Sequence, residues 1–132
     1  MTDFDDTAEL DVILPGDVFR RQVLAWDAGF CILVGLTLLA GWMSDRPLDF
    51  VESWVTSAGG AATAVWGLIL AYSAQGAGGR GTTAFFGLVN LAVAVLLTRL
   101  IVDRAAENIL AWLLVVIVAG FAVVQFIASV RR

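Results

Sequence analysis

The sequence predicts an all-α fold: an integral membrane four-helix bundle running up-down-up-down. Three observations carry this. Sixty per cent of the 132 residues are hydrophobic, and they fall in four long blocks, each near the roughly 20 apolar residues that a bilayer-spanning helix needs. The connections between blocks are short and polar, which forces neighbouring helices to run antiparallel. One length of chain this size makes a single domain. The spans are expected at about 23–43, 53–74, 82–102 and 108–130, with residues 18–132 as the transmembrane domain.

Residues 1–17 hold six acids and no base. A secretory signal opens on a basic segment, so this stretch reads as a retained, flexible acidic tail. Pro15-Gly16 is expected to break the chain, with Asp17 as N-cap of a first helix from about residue 18. The turn at 44–52 contains Pro47, which blocks a continuous helix. The turn at 75–81 is Gly-rich, but no Lys-Ser/Thr follows it and no strand precedes it, so it lacks the phosphate-loop pattern. Trp42, Trp54, Tyr72 and Trp112 stand near span ends, where amphipathic rings favour the interface.

The second span is lopsided in side-chain size. At 100° per residue, Ser53, Ser57, Gly60, Ala64, Gly67 and Ala71 fall on one stripe, and Val55, Val65, Trp66, Ile69 and Tyr72 fall roughly opposite. In lipid, apolar burial cannot drive helices together, so small residues that admit close backbone approach become the packing surface. The stripe is longer than one neighbouring helix needs. It therefore points to a structural or accessory subunit that packs on itself, as a homo-oligomer, or on a larger membrane complex.

All eight basic residues are Arg, nine of the twelve acids are Asp, and the net charge is −4. This balance resembles that of proteins from extreme halophiles. Arg20, Arg21, Arg80, Arg131 and Arg132 share one side of the membrane against Arg46 and Arg104, with Arg99 able to snorkel. That bias puts both termini in the cytoplasm.

Ionisable and amide groups inside spans each need an explanation. Asp27 shares a helical face with Arg20, Cys31 and Val34. It reads first as a shallow group, hydrated or paired to Arg20 two turns away, and otherwise as a proton or cation site. Asn90 lies near the middle of the third span on a face with Thr83, Gly87 and Ala94. An interhelical hydrogen bond explains it most simply, with Thr63 of the second span as a partner at similar depth. Gln125 faces the same way as Ala122 and Ser129, and with Asp27, Ser73, Thr82 and Thr83 could form a polar layer. Asp27, Asn90 and Gln125 would line the pathway if the protein were a small dimeric transporter or channel. Small multidrug transporters also have four spans and an acid in the first, but no motif around Asp27 matches theirs. Arg99 and Asp103, four residues apart, should pair on the helix surface.

The chemistry that the composition excludes is broad. There is no His and a single Cys, Cys31, which removes thiolate clusters, His-based zinc sites, imidazole-ligated haem and any disulfide within the chain. No nucleophile–base pair appears, so neither an enzyme nor a cofactor is expected. No basic patch would attract nucleic acid, and the acidic tail would repel it. The expected partners are the lipid bilayer and other membrane helices, with the tail as a weaker candidate for docking a soluble protein.

Overall fold

The computed structural model describes residues 14–44, 53–77, 79–103 and 109–132. Four helices account for most of them: α1 (Pro15–Met43), α2 (Ser53–Tyr72), α3 (Arg80–Asp103) and α4 (Ile109–Val130). Each is long and apolar enough to cross a membrane. The protein is an all-α four-helix bundle, consistent with a small multi-pass membrane protein. The acidic segment 1–13 and the turns holding Arg46, Pro47 and Arg104 lie outside the described residues.

The first helix begins earlier than the sequence suggests. Pro15 opens α1 instead of breaking the chain, and Leu14 is the extended N-cap residue (φ −66°, ψ 143°). The first-turn N–H groups of a helix have no intrahelical acceptor, so proline's missing donor costs nothing there. Asp17 is consequently not the cap. It sits in the first turn, its N–H bonded to the Leu14 carbonyl at 2.8 Å, where an anion suits the helix dipole. At the other end of the first hairpin, α2 widens into a single π turn, Ser73–Ala77, that closes on Gly76 at φ 134°. That left-handed angle is accessible mainly to glycine.

Within the bundle α1 packs on α2 and α3 packs on α4, and the two hairpins join chiefly through α1 and α4. Helices α2 and α3 meet only through long side chains. Trp66 reaches across to Phe86 edge-on at 5.2 Å and to Phe85 at 6.4 Å. On the α1–α4 seam Phe30 and Phe121 stack at a tilt, 5.5 Å apart.

The small-residue stripe of α2 is used against α1. A Cβ on Gly60 would lie 3.0–3.2 Å from Leu38, Gly35 and Leu39, and one on Gly67 would lie 2.7 Å from Ile32 Cγ1 and 2.9 Å from its backbone nitrogen. The matching position on α1, which the sequence reading did not single out, is Gly35: its Cβ would stand 2.6 Å from the Ala64 nitrogen. The centre of the stripe thus has a neighbour within the chain. The second hairpin closes through Gly87, whose Cβ would meet the Ala122 carbonyl, Gln125 and Phe126 at an ordinary 3.4 Å.

Hydroxyl groups in the spans are satisfied locally. Thr37, Thr63 and Thr98 each donate to the carbonyl four residues back, at 2.7, 2.7 and 2.8 Å, which leaves no free donor in an apolar surrounding.

Because backbone atoms, not flexible side-chain ends, stand in the way, Gly35→Ala should force α1 and α2 apart and cost about 1–3 kcal/mol. Gly29→Ala and Gly120→Ala, where an added Cβ meets nothing within 4 Å, should leave stability unchanged or slightly higher. Unfolding of purified protein in mixed micelles, followed by circular dichroism, reads the difference.

Candidate functional site

Asp27 and Cys31 on α1, Asn90 on α3 and Gln125 on α4 converge on one point. The helical period explains why each side chain faces inward. Arg20, Leu24, Asp27, Ala28 and Cys31 form the buried stripe of α1; Thr83, Phe86, Gly87, Asn90 and Ala94 form that of α3; Val118, Ala122, Gln125 and Ala128 form that of α4. The faces assigned from the sequence to Asn90 and Gln125 are therefore the buried ones.

At the centre, Asn90 Nδ2 donates to Asp27 Oδ2 at 2.7 Å and to Gln125 Oε1 at 3.0 Å. Gln125 Nε2 donates to the same Asp27 Oδ2 at 2.6 Å. Two amides from separate helices therefore hold one carboxylate oxygen. The other, Oδ1, has the Cys31 thiol at 3.5 Å, a weak donor. Asp27 is 1 % exposed, Gln125 0 % and Asn90 5 %. Both ion pairs among the described residues lie elsewhere: Arg20 with Asp17, and Arg99 with Asp103.

The expectation that Asp27 is hydrated or paired to Arg20 is overturned by this geometry. Arg20 lies seven residues away, two turns or about 10 Å along the axis, and is engaged at the bundle's end. Its Nη2 bonds Asp17, while Nη1 donates to the carbonyl of Arg131 at 2.9 Å and, at 3.5 Å, to that of Ala128. A guanidinium suits the carbonyl-rich C-terminus of α4, where the last carbonyls lack intrahelical donors. Arg131 in turn stands 4.8 Å over the Phe19 ring. A Cβ on Gly16 would fall 2.7–2.9 Å from backbone atoms of Arg131 and Arg132, so the two ends interlock closely.

The remaining candidates separate. Thr63 does not reach Asn90; its hydroxyl bonds Gly59 on its own helix. Thr83 is fully buried but bonds Gly79 at 3.0 Å. Ser73 is buried in the π turn and Thr82 only half-buried. The polar layer is thus narrower than the sequence suggested, and Asn90 belongs at its centre. Ser57 bonds the Trp54 carbonyl at 3.0 Å, and Ala71 packs beside the core of Leu24, Ala28, Cys31, Leu70 and Phe86. The surface pair of Arg99 and Asp103 forms as expected, at 3.5 Å between exposed side chains.

Such a cluster can do two things chemically. It cross-links α1, α3 and α4, and it holds an ionisable group away from solvent. No group of three or more His, Cys, Asp or Glu residues that could hold a metal occurs among the described residues.

Gln125→Leu should strip from the buried Asp27 carboxylate one of its two amide donors, lowering stability by about 1–3 kcal/mol. Thr63→Val, which removes only a bond within one helix, should change it by less than about 0.6 kcal/mol. Titration with a denaturing detergent, read by Trp fluorescence, checks both.

No protein-family model, curated protein or solved structure matches the chain.

Proposed function

We propose that the protein is a small proton-linked membrane transporter in which Asp27 binds the proton. The observation that carries this reading is the buried Asp27 carboxylate, held by two amide donors and lacking a basic partner among the described residues. An ionisable group within a span is costly to keep, and function is the default explanation for retaining one. A purely structural link between three helices could be made by amides alone.

The donor set favours a proton over a metal cation. Hard cations take oxygen ligands, whereas Asn90 and Gln125 turn nitrogen toward Asp27. Oδ2 is occupied by those two bonds. Oδ1, with only the thiol contact, can accept a proton while the amide bonds stay in place. Four helices rarely enclose a pathway alone, so the working form would be a dimer. The Arg-rich end, by the charge bias, would face the cytoplasm.

The accessory-subunit reading has less support, because Gly60 and Gly67 are already filled by α1. Stoichiometric co-purification with a larger membrane protein would restore it.

The test uses Asp27→Asn, which keeps the side chain's shape but removes the ionisable group. In infrared spectra across a pH titration, wild-type protein should show a protonated-carboxyl band that the variant lacks. Reconstituted wild-type vesicles should dissipate an imposed pH gradient faster than variant vesicles. Spectra without that difference sink the proton site; equal dissipation at equal helicity sinks the transport reading and leaves a structural cross-link.

A further inference from the structure

A second feature lies on a different face of α1. Between α1 and the end of α2 an open groove of about 490 Å³ runs along the bundle. Its rim is polar, formed by Arg21, Gln22 and Gln75, and its floor is small and apolar, including Ala25, Gly29 and Ala74. The π turn borders it. The groove lies at the end of the bundle where Arg20, Arg131 and Arg132 gather, and where a spanning protein meets the headgroups.

Arg21 is exposed and engages no carboxylate among the described residues. Its Nη2 lies over the glycine corner, 3.7 Å from where a Cβ on Gly76 would stand. The guanidinium is therefore positioned at the groove mouth beside two side-chain amides, all three able to donate. Below them the floor offers no polar group to a ligand. A basic, donor-rich mouth above an open apolar groove complements a molecule with an anionic head and a hydrocarbon tail. Basic pockets between spans bind anionic headgroups in this way.

We propose that this groove is a binding site for one anionic phospholipid, with the phosphate on Arg21, Gln22 and Gln75 and an acyl chain along Ala25, Gly29 and Ala74. The site is independent of Asp27, which faces α3 and α4.

Two substitutions probe head and tail separately. Arg21→Gln removes the charge. Gly29→Leu fills the floor at a position where an added Cβ meets nothing within 4 Å. Arg80→Gln, exposed at the start of α3 and outside the groove, is the control for general attraction to a charged surface. Each protein is equilibrated with mixed micelles of phosphatidylglycerol and phosphatidylcholine, and retained lipid is counted by native mass spectrometry. Wild type and Arg80→Gln should hold one phosphatidylglycerol per chain. Arg21→Gln and Gly29→Leu, with helicity unchanged, should hold about tenfold less. Equal retention of phosphatidylcholine, or undiminished phosphatidylglycerol in both groove variants, overturns the proposal. Loss in Arg80→Gln equal to that in Arg21→Gln overturns it as well, since the attraction would then be diffuse.

Discussion

A carboxylate removed from water has to be met by donors, and in this bundle they come from other helices. Asp27 receives both amide bonds on one oxygen, from Asn90 and Gln125. Each hairpin closes on itself through close backbone approach, but the hairpins meet over a narrower seam. There the amide–carboxylate triangle, Arg20 on the α4 carbonyls and the Phe30–Phe121 stack do the joining. Moving α4 along α1 would leave Asp27 and the last carbonyls of α4 unanswered together. Register between the hairpins is therefore set by polar groups, while apolar packing alone would tolerate several alignments.

The two kinds of seam divide the molecule. Gly35, Gly60 and Gly67 bring α1 and α2 so close that neither can slide without backbone collision. Between α2 and α3, by contrast, contact depends on Trp66 reaching two phenylalanines, and its indole Nε1 is buried without an acceptor among the described residues. If the bundle opens during a working cycle, this side-chain seam is weaker than either glycine seam.

Helix α1 carries both candidate sites on separate faces. Residues 20, 24, 27 and 31 are buried within the bundle, and 21, 25 and 29 line the groove. A helix spaces these rows by about 100° per residue, so a carboxylate and a lipid-like ligand can occupy one helix without competing. Movement of α1 would nevertheless be felt at both.

The number of helices, their order and a length and apolarity sufficient to cross a membrane were legible in the sequence, because the length and apolarity of a helix are local properties. So were the inward faces of Asn90 and Gln125, since the helical period places Thr83, Gly87 and Ala94, or Ala122, beside them. The small-residue stripe was legible as a packing surface, but its partner was not: Gly35 stands among larger residues and has no pattern of its own. The start of α1 was misread because proline both breaks and opens helices, and the choice depends on whether its N–H would have been needed. Most of all, the polar cluster belongs to tertiary structure. Asp27, Asn90 and Gln125 lie 63 and 35 residues apart, and depth estimated from span ends placed Asn90 away from the other two. Helix tilt and relative register decide such meetings, and these follow from how three packed surfaces fit at once, which no single helix encodes.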